Sequence, residues 1–305
     1  MNGHPLAMIA RMAVSLGLLL LLAWLLDPAV IVSTLAGLHP GWVTAALAIT
    51  IAQTLLSAWR WRYTASRLRL AMPVPFAVRE YYLASFINQV LPGGVLGDVA
   101  RAWRHAGRAH RRRAAVHGVI LERGSGQLAM ALIAVASLLV LADVLAVRPY
   151  LWVHAGLLAC MLTWFALGKL LWQQRSGRAL VLDLRRALLN RNALPVQLFT
   201  SLTVVLSYLL VYLAAARAVG DATPTLQLLP LIPLVLLAML IPVSFAGWGL
   251  REGAAAAIWA LAGLDPAQGV AIAIAYGLLV LAGTLPGALV LWMETRRRTA
   301  LVSPS

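Results

Sequence analysis

Six apolar runs, at about residues 7–26, 41–59, 119–142, 150–172, 195–216 and 268–292, dominate the chain. Each is close to the roughly 20 residues that a helix needs to cross the hydrocarbon core of a bilayer. Lipid offers no hydrogen-bond partners, so a spanning segment must satisfy its backbone internally, as a helix does. The runs therefore predict an all-α, polytopic transmembrane bundle. Composition agrees, with 62% hydrophobic and 11% charged residues against about 25% charged in soluble domains.

The arginines orient the bundle. Of 24, 19 fall in the segments 60–79, 101–113, 175–191 and 296–298, and basic loops stay on the cytoplasmic side. Residues 27–40 carry no Lys or Arg and are placed outside. Both termini are then expected inside, in a bacterial inner membrane, with residues 296–305 as a short cytoplasmic tail on one integral unit spanning 1–305. The net charge of +15 is explained by these loops, which also attract anionic headgroups, so no nucleic-acid partner is expected. Trp59, Trp61, Tyr150, Trp152 and Trp292 are expected as interfacial anchors. The first run ends in Leu-Leu-Asp-Pro, not in a small-residue cleavage site, and is expected to be retained. Cys160, the only cysteine, sits in an apolar run and excludes an intrachain disulfide.

Two stretches break the apolar pattern. Residues 88–104 read NQVLPGGVLGDVARAWR. Pro92 stops the preceding helix, Gly93, Gly94 and Gly97 permit positive φ or close approach, and a new helix is expected to start near Gly97. Its first N–H groups are a favourable seat for phosphate, and Asp98 and Arg101 share one of its faces. Basic loops flank this region on both sides, so residues 74–92 are expected to enter the membrane and turn back, with the tip near Pro92–Gly94; the alternative is an interfacial amphipathic helix. The second stretch, 241–253, reads IPVSFAGWGLREG. Pro242 ends an apolar run, Gly247 and Gly249 loosen the backbone, and Arg251-Glu252 follow. Residues 226–243 and 253–263 are expected to form a second broken hairpin, entering from outside. Six spans plus two opposed hairpins have the form of an inverted repeat with a site at the repeat interface, although no residue-by-residue repeat is visible.

Three motifs, LPGGVLGDVAR at 91–101, Leu121-Glu122-Arg123, and IPVSFAGWGLREGA at 241–254, resemble in order and rough spacing those of the flippase-like family. That family includes the transmembrane region of lysylphosphatidylglycerol synthase, and the resemblance covers nearly the whole chain. It implies movement of a phospholipid or related lipid between leaflets, with the headgroup between the two broken motifs. Larger family members append a soluble aminoacyl-transferase domain. This chain ends at Ser305, so that activity is not expected of it.

The residues offer what a headgroup needs. Arg101, Arg251 and the glycine loops suit a phosphate; Asp98, Glu122 and Glu252 suit an amine; the helices supply an apolar wall. Pro92, Gly93, Gly94, Gly97, Asp98, Arg101, Glu122, Arg123, Pro242, Gly247, Gly249, Arg251 and Glu252 are the candidate headgroup-binding or gating residues. Ionisable groups at membrane depth face a cavity or each other, so the competing reading is that these pairs only lock helices together. For Arg79-Glu80 the locking reading is preferred.

No metal site is expected, because His105, His110 and His117 lie in a basic loop without paired acids and no HExxH occurs. Ser125 lacks the G-x-S-x-G context of a nucleophile, with His154 the only base nearby, and no nucleotide-binding fingerprint appears. No catalytic residue and no cofactor are therefore expected. The expected partners are membrane lipids: an anionic phospholipid, an aminoacylated lipid or a polyprenyl-phosphate-linked lipid. Proton coupling through Asp98 or Glu252 and simple downhill movement are both open. The alternatives are a membrane enzyme or accessory subunit acting on lipid-linked sugars, and a non-transporting scaffold.

Overall fold

The computed structural model describes residues 36–91, 94–109, 111–144, 175–239 and 247–302, with Gly17 and Ser33. The expected runs at 7–26 (Gly17 apart) and 150–172, together with Pro92, Gly93, His110, Tyr150, Trp152, His154, Cys160 and Pro242, lie outside the described residues. Every regular element among the described residues is a helix. In chain order they are α1 (Pro40–Arg67), α2 (Val74–Val90), α3 (Leu96–Ala109), α4 (Arg112–Val144), α5 (Arg175–Ala187), α6 (Leu194–Ala218), α7 (Thr225–Leu228), α8 (Ile232–Ala238), α9 (Leu250–Leu261) and α10 (Pro266–Val302).

Four of them, α1, α4, α6 and α10, are long and apolar enough to cross a membrane. They coincide with four of the six expected runs but extend further. α1 continues two turns past residue 59, α4 begins at Arg112 rather than near 119, and α10 continues through Arg296 to Val302. The reason is the same at each end. Arginine is a good helix former, so a basic flank continues a helix beyond its apolar part. Local signals act where they are present. Pro40 sits in the first turn of α1, where its missing N–H is harmless, and the His39 imidazole accepts from Gly41 N–H at 3.2 Å.

α2 and α3 form an antiparallel hairpin about the Pro-Gly-Gly break. Arg108 near the end of α3 lies 5.0 Å over the Phe76 ring near the start of α2, Arg104 pairs with Glu80, and Gly97 lies against Ala84. Both open ends of this hairpin thus lie at the arginine-rich end of the bundle. The second break has the same form. α8 and α9 pack together, with Gly247 just before the second against the Met239 side chain just after the first. The open end of this hairpin is tied to the opposite end of the bundle: Gln268 at the start of α10 donates to Asp221 Oδ1, in the turn after α6, at 3.0 Å. The two broken hairpins therefore point toward each other.

Two apolar clusters hold the bundle. One, at the end away from the arginines, joins Tyr212, Ile232, Trp259, Ile272 and Tyr276. The other, at the arginine-rich end, joins Trp61, Ala65, Leu68, Val119 and Leu121, with Ala187 and Leu188 at the end of amphipathic α5. α10 approaches its neighbours through glycines four residues apart. A Cβ on Gly283 would lie 2.4 Å from Thr50 Cγ2, and one on Gly287 would lie 2.2 Å from the Tyr82 carbonyl oxygen. Small residues at this spacing let membrane helices pack backbone to backbone.

Candidate functional site

Between the two apolar clusters, near the middle of the long helices, lies a cavity of about 250 Å³. α1 lines it with Thr50, Gln53, Thr54, Ser57 and Arg60, one polar stripe at helical spacing on an otherwise apolar span. Asn88, Gly94 and Asp98 reach it from the first broken hairpin, and Gly247 from the second. Glu122 and Arg123 arrive from α4, Tyr208 from α6 and Tyr276 from α10.

The charged groups form one connected network. Glu122 is its centre: Oε1 accepts from Arg60 Nη2 at 2.6 Å and Nε at 3.2 Å, and Oε2 accepts from Arg101 Nη2 at 2.7 Å. Asp98 Oδ1 accepts from Arg101 Nε at 2.9 Å, while Oδ2 pairs with Arg123 Nη1 at 2.8 Å and accepts from Asn88 Nδ2 at 3.0 Å. Arg60 Nη1 also donates to Ser201 Oγ at 3.2 Å. Arg101 is sandwiched between the rings of Trp61 and Tyr81, at 4.7 and 4.6 Å. Its Nη1 has no hydrogen-bond partner among the described residues, so the ring faces supply the remaining stabilisation of the cation.

Three guanidinium groups (Arg60, Arg101, Arg123) thus meet two carboxylates (Asp98, Glu122), which leaves one positive charge in excess. Arg60, Arg101 and Glu122 are buried, whereas the Arg123 side chain is 37% exposed. Arg123 is also a latch on the first glycine break, because its Nη2 donates to the Gly94 carbonyl at 3.1 Å. Gly94 holds φ +60°, a backbone region that suits glycine.

Of the expected site residues, Asp98, Arg101, Glu122 and Arg123 come together, and Gly94 and Gly247 line the same cavity. Gly97 makes the close approach: a Cβ there would lie 2.0 Å from the Ala84 carbonyl oxygen. The helix start at Gly97 is not a free anion seat, because its N–H donates to Asn88 Oδ1 at 2.8 Å. Arg251 and Glu252 form their own buried pair, set apart from the Glu122 network. Glu252 Oε2 accepts from Gly249 N–H at 2.6 Å and so caps α9, while Oε1 accepts from Arg251 Nε at 3.0 Å. Gly249 and Gly247 hold φ of +83° and +85°. Arg251 lies 4.7 Å from the Trp248 ring and 5.5 Å from Tyr276. It meets the cavity wall through the Tyr276 ring and through its backbone N–H, which donates to the Gly247 carbonyl at 3.0 Å.

Several sequence expectations need correction. Arg60 is not a cytoplasmic flanking charge. α1 continues past it, and it turns inward to Glu122, 3% exposed. Trp61 is not an interfacial anchor but is fully buried against His105 and Arg101, whereas Trp59 and Trp292 are exposed. His105 and His117 are not in a solvated loop: both are helical and buried. His117 Nδ1 does face an acid, Asp183 Oδ2 at 2.7 Å, 66 residues further along. Such a pairing has no local trace in a sequence. The polar spacing of Thr50, Thr54, Ser57 and Arg60 was a readable sign that α1 faces the site.

Arg79-Glu80 is a helix lock. Buried Glu80 pairs with Arg79 Nη2 at 3.0 Å and with Arg104, and Arg79 reaches Glu294 on α10 at 3.2 Å. Arg79 is 45% exposed on its side chain, so Arg79→Ala is expected to cost no more than about 1 kcal/mol. Thermal unfolding in detergent measures this, and a loss of several degrees would contradict it.

No group of three or more His, Cys, Asp or Glu side chains able to hold a metal occurs among the described residues. Neither a comparison with curated proteins nor one with solved structures finds a match. The family described as the lysylphosphatidylglycerol synthase TM region is matched over residues 8–287, and the chain belongs to that family of multi-pass membrane proteins concerned with lipids.

Proposed function

We propose that the protein moves a lipid between the leaflets of the inner membrane, with the headgroup passing through the cavity at the two glycine breaks. The observation that carries this reading is the cavity itself. It carries a stripe of polar and charged side chains, sits near the middle of the long apolar helices between two apolar clusters, is lined from both broken hairpins, and retains one excess positive charge. A charged headgroup is costly to place in bare hydrocarbon, and a pre-formed polar path lowers that barrier. The net charge favours a phosphate-bearing headgroup. Asp98 offers an acceptor for an amine once an incoming phosphate has taken up Arg123. Arg101 and Arg251 are framework cations in this reading, and Arg60 and Arg123 are the ones that meet lipid. No catalytic step is assigned to the protein.

Exchange at Arg123 is the natural first step. A lipid phosphate can replace Asp98 as its partner and release the Gly94 carbonyl, which loosens the tip of the first hairpin. Arg123→Ala is therefore expected to lower transbilayer movement about tenfold, the equivalent of one charge-assisted hydrogen bond. Stability is expected to hold, because Asp98 keeps Arg101 and Asn88. The assay is proteoliposomes carrying fluorophore-labelled phosphatidylglycerol, lysyl-phosphatidylglycerol or a polyprenyl phosphate, with a membrane-impermeant quencher outside. If wild-type protein moves none of these faster than protein-free liposomes, the reading fails. Chemical conversion of a lipid in detergent, detected by mass spectrometry, would instead favour a membrane enzyme.

A further inference from the structure

A second concavity, of about 880 Å³, opens at the arginine-rich end of the bundle. Six arginines line it: Arg67 at the end of α1, Arg69 just after it, Arg111, Arg112 and Arg113 at the start of α4, and Arg186 near the end of α5. One carboxylate, Asp183, shares the lining. It is already engaged, with His117 Nδ1 at 2.7 Å and Arg186 Nη1 at 3.8 Å. Arg67, Arg69 and Arg113 have no carboxylate partner among the described residues.

The charge bias of cytoplasmic loops explains arginines near a membrane surface, but it does not require three chain segments to converge on one hollow. Arg69 is set there by the turn that ends α1. This residue holds φ +60°, a conformation that costs a side-chain-bearing residue about 1 kcal/mol or more. Its neighbours Leu68 and Leu70 are buried at 5% and 3% exposure. They pin the turn so that Arg69 alone points outward, into the basin. The turn is a helix C-terminal motif, with Arg69 N–H donating to Ser66 O at 2.9 Å and Leu70 N–H to Ala65 O at 3.0 Å, and it fixes where the Arg69 side chain leaves the backbone. The first turn of α4, with its unpaired N–H groups, adds to the positive potential.

We propose that this basin binds a doubly charged phosphate group, presented either by a lipid headgroup of the adjacent leaflet or by a soluble phosphorylated ligand. It is a separate site from the central cavity. Along α1, Arg67 lies seven residues beyond Arg60, and along α4, Arg112 lies ten before Glu122, which is about 10 and 15 Å of helix. The proposal stands whether or not the central cavity passes lipid. Two or more guanidinium groups on one phosphate give parallel charge-assisted bonds. Five unneutralised positive charges favour a dianion over a monoanion.

The test uses full-length protein in phosphatidylcholine nanodiscs at fixed ionic strength. Inorganic pyrophosphate is titrated by calorimetry against wild type and Arg69→Gln/Arg113→Gln. In parallel, nanodiscs with equal phosphatidic acid and phosphatidylglycerol are scored by native mass spectrometry for the lipid retained. The expected result is saturable binding of pyrophosphate, preferential retention of phosphatidic acid, or both, weakened roughly tenfold or more in the double variant. Pyrophosphate alone identifies a soluble source, and phosphatidic acid alone identifies a lipid. Arg69→Gly supplies a second reading. It relieves the backbone strain, so its unfolding temperature is expected to hold or rise while binding falls. No saturable binding in either arm, equal retention of the two lipids without pyrophosphate binding, or a double variant that binds like wild type would overturn the proposal.

Discussion

Replacing Glu122 with alanine is expected to prevent the protein from reaching a monodisperse folded state. The carboxylate is 1% exposed and is shared by Arg60 and Arg101, both buried. Removing one partner of a buried ion pair costs about 3–5 kcal/mol, because the remaining charge is left without water or a counter-ion. Here two guanidinium groups lose their partner at once, and Arg101 keeps only Asp98. Whole domains are stable by only about 5–15 kcal/mol, so this loss removes most of the margin. Glu122→Gln keeps an oxygen acceptor but not the charge, and is expected to fall between. Size-exclusion profiles and thermal unfolding in one detergent decide the matter. A sharp Glu122→Ala peak with an unchanged unfolding temperature would mean that the network does not hold these helices together.

The second large effect is expected from the smallest change. Gly97→Ala adds one methyl group, directed at the Ala84 carbonyl oxygen, where the built Cβ lies at 2.0 Å. The obstacle is backbone, so no rotamer relieves it. The hairpin can only separate, breaking the Asn88 contacts to Gly97 N–H and Asp98. Overpacking of this kind costs about 1–3 kcal/mol, and more where the backbone cannot shift. Gly107, in the same helix, is the control. No described residue lies within 4 Å of the place its Cβ would take, so Gly107→Ala is expected to stabilise by about 0.4–1 kcal/mol through reduced freedom of the unfolded chain. Opposite signs for the two substitutions test the hairpin packing directly. Destabilisation of similar size at both positions would contradict it.

The comparison of these glycines also marks how far a sequence can be read. Gly97 and Gly107 are indistinguishable as letters in one helix. Only the path of α2 makes one indispensable and the other replaceable. Within the first motif, the proline followed by clustered glycines was readable as a break that permits positive φ and close approach, because it is a local signal; that Gly94 takes the positive φ and Gly97 the close approach was not. What Gly97 approaches, a carbonyl of the preceding helix rather than a ligand, was not local and was not readable.

The apolar runs by themselves determined the class of fold, because lipid allows little besides helices and the bilayer sets their length. The Pro- and Gly-rich interruption after Leu91 likewise marked the break between α2 and α3, since those residues act on their own backbone, although Pro286 sits inside α10 without ending it. The charges were another matter. Arg60 carries the same label as the loop arginines that follow it, yet it lies inside the network; Arg251 looked equivalent to Arg101, yet it pairs with its own neighbour. An ion pair depends on which faces of distant helices meet, as Arg60 and Glu122 do across 62 residues. Only the packed bundle decided that three cations and two carboxylates would share one centre, that the two breaks would meet at one cavity, and that six arginines would close around another. Coulombic and hydrogen-bond contacts act over a few ångströms, and the chain brings those partners within reach only once it is folded.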